Sequence, residues 1–125
     1  MITELLHKAT TALSSARLLL TAGDSDGATN RAYYAMFDSA TAALLWGGGD
    51  APRSHVGMIG SFGRHLVQAG KLPAELGRSL NRMHELRLTA DYLAEPVPLD
   101  KAGRAIDEAE IFVQEIGRLL AQSGA

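Results

Sequence analysis

Apolar residues recur every three or four positions through most of the chain, and glycine or proline interrupts each such segment. This spacing places apolar side chains along one face of an α-helix, and no segment shows the period of two that is typical of a strand. The sequence therefore predicts an all-α fold. We expect an up-and-down antiparallel bundle of about five helices, with residues 1–125 forming a single domain.

Capping residues and helix breakers predict the bounds of the first two helices. Thr3 can open the first helix, and Gly23 ends it. The segment Asp24-Ser25-Asp26 offers N-caps for a second helix, which runs to about Trp46. Residues 47–53, which begin with three glycines, are expected to be the most flexible connection.

Similar signals delimit three further helices. Ser54 can cap a third helix over residues 54–69, which Gly70 closes. Pro73 suits the first turn of a fourth helix, which extends to residue 92 or 93. Asp100 is expected to cap the fifth helix after a proline-rich turn.

Composition excludes several classes of protein. The chain has 125 residues, of which 46% are hydrophobic and 21% are charged, as in ordinary globular proteins. No apolar run approaches the roughly 18 residues that span a bilayer, and the N-terminal segment lacks the features of a secretory signal. Without cysteine there is neither a disulfide framework nor a thiolate metal site. We expect a cytoplasmic protein that does not associate with membranes.

Charge is distributed unevenly along the chain. The net charge is -2, yet residues 53–87 carry a balance of +4 and residues 88–125 a balance of -4. A solvated surface with uneven charge explains this asymmetry, and so does one side that faces a polyanion. The sequence is therefore compatible with RNA binding but does not establish it.

Alanine is frequent on the predicted second helix, where it would allow neighbouring helices to approach closely. These residues are Ala28, Ala32, Ala35, Ala40 and Ala43. Much of predicted helices 1, 2 and 5 is apolar, so a homodimer that buries part of this surface is expected. The alternative is that the alanine faces simply form the core of one chain.

The predicted fourth helix carries polar residues on a face that also carries core residues. His84, Arg87 and Asp91 lie at intervals of three and four and therefore share one face. Arg87 also lies on the apolar stripe of Leu80, Met83 and Ala90. An arginine that loses hydration needs a hydrogen-bonding or acidic partner, and Asp91 is the nearest candidate.

The predicted second helix carries a similar polar stripe formed by Arg31, Tyr34 and Asp38. Asp38 could meet Arg87 across the bundle. One interpretation is a structural network that sets the register of the two helices. The other is a site, because arginine and histidine beside tyrosine can hold and cleave a phosphodiester.

The other polar groups give weaker indications of a functional site. Glu4 and His7 match one Glu-x-x-His pair of a di-iron bundle, but the second pair and the two additional glutamates are missing. We therefore expect no metal site and no cofactor. His55, Arg64 and His65 are interpreted as surface groups, and Trp46 and Phe62 as packing residues near helix ends.

The segment Asn30-Arg31-Ala32-Tyr33-Tyr34-Ala35-Met36-Phe37-Asp38 resembles the central helix of HEPN domains. The likeness continues through residues 54–57, 61–63 and 87–92, in the expected order, and covers about residues 5–120. The Arg-Ala-Tyr-Tyr-Ala-Met-Phe run is its most specific part.

This resemblance implies an all-α bundle that tends to dimerise. Many HEPN proteins are metal-independent RNases, often toxins, and many are encoded beside a minimal nucleotidyltransferase that serves as antitoxin. In the active members an arginine is followed, after four to six residues, by a catalytic histidine. Here Tyr92 follows Arg87 at the corresponding place, and a tyrosine hydroxyl is ordinarily a poor base at neutral pH. Arg78 and His84 fit the spacing literally, but six helical residues turn them away from each other.

We therefore expect a HEPN-like protein that binds RNA or a protein partner in a toxin–antitoxin or defence setting, with weak or absent RNase activity. Two alternatives stay open: an active RNase toxin that uses His84, and an accessory subunit of a nucleotidyltransferase in which Tyr92 accepts a nucleotide. The candidate catalytic residues are Arg87, Asp91, Tyr92 and His84. The candidate RNA-binding or partner-binding residues are Arg31, Tyr34, Asp38 and Arg82.

Overall fold

A computed structural model describes residues 1–122 of the chain. Within these residues the fold is all-α, as predicted, and contains no strand. The helices are α1 (Ile2–Thr21), α2 (Ser25–Trp46), α3 (His55–Phe62), α4 (Ala74–Tyr92) and α5 (Leu99–Gln122). A single π-helical turn, Gly63–Val67, continues directly from α3.

Two of the predicted N-caps are confirmed. The carboxylate of Asp24 accepts a hydrogen bond of 2.9 Å from the Gly27 N–H at the start of α2. At the start of α3, the Ser54 hydroxyl accepts one of 3.1 Å from the Gly57 N–H. Each bond satisfies one of the amide groups that the first turn of a helix leaves unpaired.

Three predicted starts are wrong by one or two residues. Helix α1 already includes Thr3, and α4 begins only after Pro73, which has an extended backbone. Helix α5 begins at Leu99, so Asp100 lies inside its first turn, where its carboxylate accepts a hydrogen bond of 3.2 Å from Arg104. An acidic side chain favours the first turn as well as the cap position, which explains the error at Asp100.

The third helix also differs from the prediction. Its α-helical part ends at Phe62 rather than at residue 69. The Gln68 N–H then donates to the Gly63 carbonyl, five residues earlier, at 2.8 Å. A hydrogen bond over five residues is the mark of a π-helical turn, which a pattern of apolar spacing does not distinguish from an α-helix.

The four long helices pack side by side with alternating directions. Helix α2 packs against every other helix and is the centre of the bundle. Tyr34 of α2 lies beside Arg87 of α4, whereas the Asp26 side chain near the start of α2 reaches the Val97 N–H beyond the end of α4. These two contacts set α2 and α4 antiparallel. Arg17 of α1 likewise pairs with Asp107 and Glu110 of α5.

The alanine face of α2 is core in a single chain. All five of the predicted alanines are completely buried, because α1 and α5 approach α2 closely along this face. Ala35 belongs to a small cluster with Ala9 and Ala12 of α1 and Val113 of α5. Within residues 1–122, no helix is both long enough and apolar enough to cross a membrane.

Replacing Ala35 with leucine tests how tightly these helices pack. The site has no room for the added carbons, so we expect Ala35→Leu to lower the free energy of unfolding by about 1–3 kcal/mol. Urea unfolding followed by circular dichroism measures the change. The matched control is Ala74→Leu, because Ala74 is exposed on α4. Equal stability of the two variants would contradict the close packing.

Candidate functional site

Two pairs of side chains join α2 to α4 near the middle of both helices. Tyr34 contacts Arg87, and the Tyr33 ring lies 5.7 Å from the His84 ring between centroids. Tyr33 and Tyr34 are adjacent in the sequence and therefore point about 100° apart on the helix. As a result Tyr33 is buried, at 3% exposure, while Tyr34 lies at the surface, at 38%.

Aromatic rings surround the guanidinium of Arg87. Its central carbon lies 4.7 Å from the centroid of the Tyr33 ring and 5.7 Å from that of Tyr34. Its Nη1 donates a long hydrogen bond of 3.4 Å to the Tyr34 hydroxyl, and its buried Nε has no hydrogen-bond partner among the described residues. Aromatic faces attract a cation without cancelling its charge, so this guanidinium keeps its capacity to bind an anion.

His55, the first residue of α3, enters the same group. Its Nδ1 lies 3.2 Å from the Tyr33 hydroxyl, and its Nε2 lies 3.1 Å from Oδ1 of Asn81 on α4. An amide oxygen can only accept, so Nε2 of His55 carries a hydrogen. The ring of His55 stacks on that of His84, with centroids 3.6 Å apart and planes inclined by 7°.

Several groups around His84 favour its neutral form. Burial lowers the pKa of His84, and the neighbouring His55 and Arg87 lower it further, whereas Glu85 opposes them. The Nδ1 atom of His84 is buried and has no hydrogen-bond partner within residues 1–122. A neutral imidazole with an unpaired ring nitrogen can accept a proton.

Tyr33 is held in its protonated form. Burial raises the pKa of its hydroxyl, and the positive charge of Arg87 offsets only part of this effect. The Tyr33 O–H can therefore donate to Nδ1 of His55 when that ring is neutral.

These residues line a cavity of about 280 Å³. Its walls come from α2, from the segment that precedes α3, from the first residue of α3, and from α4. They comprise Tyr33, Tyr34, Phe37, Arg53, Ser54, His55, His84 and Arg87. None of them is acidic, and two are arginines. The cavity therefore combines positive charge, aromatic faces and two imidazoles, which suits an anion attached to an apolar or aromatic group.

A family model for the HEPN domain matches residues 2–119. The chain belongs to the HEPN family. It is 37% identical over 108 residues to a Methanocaldococcus jannaschii protein named “Putative toxin MJ0605”, covering 86% of this chain and 80% of that protein.

Two further relatives carry names that state no activity. A UPF0332 protein of Thermotoga maritima is 37% identical over 116 residues, which cover 91% of this chain and 86% of the relative. The UPF0332 protein glr0978 of Gloeobacter violaceus is 40% identical over 89 residues, covering 71% and 70% respectively.

The cavity of this HEPN domain contains three of the predicted site residues. His84, Arg87 and Tyr34 line it, and the guanidinium of Arg31 lies 5.9 Å from the Tyr34 ring at its edge. The two polar stripes on α2 and α4 therefore do meet, through tyrosine and arginine.

The expected aspartate partners of Arg87 are absent from this arrangement. Within residues 1–122, Arg87 forms no ion pair with either Asp91 or Asp38. Asp91 is exposed. Asp38 is half-buried, and burial raises its pKa, an effect that Lys8 and Arg31 partly offset. Both predicted pairings are wrong. Helical spacing does not give the register between α2 and α4, which places Asp38 away from Arg87. Asp91 shares α4 with Arg87, but the guanidinium lies over the Tyr33 and Tyr34 rings, and Asp91 is exposed.

Two other candidates lie outside the cavity. Tyr92, the last residue of α4, is 81% exposed. The Nη2 atom of Arg82 lies 2.8 Å from Glu75 of the same helix and 2.6 Å from Glu108 of α5. Arg82 therefore has carboxylate partners of its own and does not contribute to the site around Arg87.

Sequence reasoning did not identify Tyr33, Arg53 and His55 of the cavity as site residues. It also missed Asn81, whose side-chain oxygen accepts a hydrogen bond from Nε2 of His55. The interpretation of His55 as a surface group was wrong. The available signal was its place directly after the Ser54 cap, because the first residue of a capped helix has a defined direction. Arg64 and His65 are exposed, as expected.

No group of three or more histidine, aspartate or glutamate residues within the described chain converges as a metal site would require. The stacked histidines are two ligands at most, and both nitrogens of His55 already have partners. The two arginines that line the cavity are groups that bind anions.

The lowered pKa of His84 predicts how stability depends on pH. The unfolded chain binds a proton at this position more readily than the folded chain does, so stability falls as pH drops below the ordinary histidine value of about 6.5. We expect the free energy of unfolding to decrease from pH 7 to pH 5, and His84→Gln to weaken this dependence.

Urea unfolding at several pH values measures the effect. The control is His65→Gln, because His65 is exposed and belongs to the π-helical turn. This variant should retain the wild-type pH dependence. An unchanged pH dependence in His84→Gln would contradict the prediction.

Proposed function

We propose that this HEPN protein binds single-stranded RNA in a toxin setting, with Arg87 as the phosphate-binding residue and with weak or absent RNase activity. One observation carries the proposal. The guanidinium of Arg87 lies at a cavity of about 280 Å³ with aromatic neighbours and without a carboxylate partner among the described residues.

The other arginines show what is different about Arg87. Five of them form ion pairs with aspartate or glutamate side chains: Arg17, Arg78, Arg82, Arg104 and Arg118. Four arginines form none with the described residues: Arg31, Arg53, Arg64 and Arg87. Of these, Arg53 and Arg87 line the cavity, where they retain a charge that a phosphate can satisfy.

The toxin setting rests on the relatives. The Methanocaldococcus jannaschii protein bears the name “Putative toxin MJ0605”. RNA is the proposed ligand because the cavity pairs cationic groups with aromatic faces, and unpaired bases stack on such faces. The homodimer and the nucleotidyltransferase partner stay predictions from the family resemblance, and so does nucleotide transfer to the exposed Tyr92.

Weak or absent cleavage follows from the position of the family's catalytic histidine. Tyr92 occupies that place and lies at the end of α4, outside the group of residues that lines the cavity. It is therefore poorly placed to act on a phosphodiester that Arg87 holds.

Arg87→Ala tests the proposed phosphate contact. The variant loses one cationic contact, so we expect affinity for a short single-stranded RNA to fall about tenfold or more. The dependence of affinity on salt should also weaken, with the slope of log K against log salt decreasing by about 0.7. Fluorescence anisotropy at several salt concentrations measures both quantities.

The control is Arg118→Ala, which removes the same charge from α5, where Arg118 is paired with Glu115. It should bind RNA almost as the wild type does. Equal losses in the two variants would indicate a general charge effect and overturn the specific role of Arg87. Absence of RNA binding by the wild type would overturn the proposed function itself.

A second candidate function is metal-independent RNA cleavage, and the arrangement of His84 and Arg87 favours it. A neutral His84 can take the proton of a 2′-hydroxyl, and Arg87 can stabilise the negative charge that develops on the phosphate. This alternative needs no histidine at the position of Tyr92.

Cleavage assays in EDTA test this alternative. If the wild type cleaves RNA, His84→Ala should lower the single-turnover rate by about 100-fold or more, as expected for removal of a general base. His65→Ala, an exposed control, should leave the rate unchanged. Cleavage that persists in His84→Ala would exclude this role for His84.

A further inference from the structure

The stacked pair His55 and His84 is not explained by phosphate binding through Arg87. The two rings come from different helices, yet they are nearly parallel and in van der Waals contact. Each ring has a distinct environment. His55 has hydrogen-bond partners on both nitrogens, whereas the buried Nδ1 of His84 has none within the described chain.

The partners of His55 accommodate two protonation states. In the neutral ring, Nε2–H donates to Asn81 and Nδ1 accepts from the Tyr33 hydroxyl. In the protonated ring both nitrogens donate, and the Tyr33 oxygen becomes the acceptor. Tyr33 and Asn81 therefore hold the His55 ring in one place whether or not it gains a proton. The His55 ring in turn supports the His84 ring, on which it stacks.

The surroundings permit one proton on the pair but oppose a second. Two imidazolium rings 3.6 Å apart would repel each other strongly. The groups that face His55 and His84 are Tyr33 and Tyr34 from α2, Arg53 from the segment before α3, and Arg87 with Glu85 from α4. Two of these carry positive charge, and Glu85 is the one acidic group.

We infer that His55 and His84 form a single one-proton unit, positioned by Tyr33 and Asn81, and that a phosphodiester is bound in the cavity with uptake of that proton. The inference rests on the proposed function. In the empty cavity the arginines disfavour the additional positive charge. A bound phosphate contributes a negative charge beside the rings, so a proton from solvent is then retained on one of them.

In this arrangement His55 is a positioning residue, and its effect reaches the ligand through His84. RNA affinity should therefore increase as pH falls, by no more than tenfold for each pH unit, because a single proton is taken up. Asn81→Asp should shift this dependence. A carboxylate at Nε2 of His55 favours the protonated pair, which moves the midpoint of proton uptake about one pH unit higher.

The experiment measures binding and protonation separately. A short single-stranded RNA with 2′-O-methyl groups serves as probe, because the blocked 2′-oxygen prevents cleavage. Anisotropy at constant ionic strength gives its affinity from pH 5.5 to 8. Proton NMR of the histidine ring protons gives the titration of the free protein, with His7 and His65, both exposed, as internal references.

Asn81 and its replacement have almost the same shape, and Asn81 is exposed, so the variant should fold. The control is Gln114→Glu, which adds the same charge at an exposed position of α5. It should leave the midpoint unchanged. An unshifted midpoint in Asn81→Asp, or a shift that Gln114→Glu matches, would overturn the positioning role.

The remaining outcomes separate this inference from the proposed function. RNA binding without pH dependence, or uptake of two protons, would overturn the one-proton unit and leave RNA binding intact. Absence of RNA binding at every pH would overturn both the proposed function and coupled proton uptake.

Discussion

The close packing of α2 against α1 and α5 is the constraint on which the other features depend. Alanines on α2 let both neighbours approach, and this places α2 at the centre of the bundle. A central helix has little surface left, so its polar side chains must emerge along a narrow strip. That strip carries Arg31, Tyr34 and the hydroxyl of Tyr33, and α3 and α4 pack beside it. The position of the cavity is thus a consequence of the alanine face.

The same packing makes the site costly for stability. Burying part of a guanidinium and part of an imidazole without full hydrogen bonding opposes folding. The chain offsets this cost through aromatic contacts, with Tyr33 touching Arg87, His55 and His84. Unsatisfied polar atoms in an otherwise well-packed bundle are concentrated at functional sites more often than elsewhere. Nε of Arg87 and Nδ1 of His84 both lie beside the cavity, which agrees with that tendency.

The sequence was sufficient to predict the helices and which side chains share a helix face, because both depend on local spacing. The stripes containing Tyr34 on α2 and His84 with Arg87 on α4 do face each other. The register between α2 and α4 could not be predicted from the sequence, since it depends on loop geometry and packing. In antiparallel helices that set Tyr34 beside Arg87, Asp38 lies one turn further along the bundle, so it does not pair with Arg87. Asp91 follows Arg87 on the same helix, and its failure to pair depends on side-chain direction, because the guanidinium lies over the Tyr33 and Tyr34 rings.

His55 was missed for a different reason. Its partners are Tyr33, 22 residues earlier, and Asn81, 26 residues later, so no local pattern connects them. The family motif did not help, because it directs attention to the residues that follow Arg87. In this chain the imidazoles lie on the other side, one turn before Arg87 and on α3.

The partners of Arg87 also explain why the aspartate hypothesis was attractive and yet wrong. A carboxylate would have compensated the buried charge most directly, but it would have cancelled the charge that a phosphate needs. Two phenol rings stabilise the guanidinium more weakly and leave its outer N–H groups available. A chain that had to bury Arg87 only for stability would gain more from an acidic partner. The choice of tyrosine is therefore an argument for a ligand, since the bound anion supplies the compensation that the protein does not.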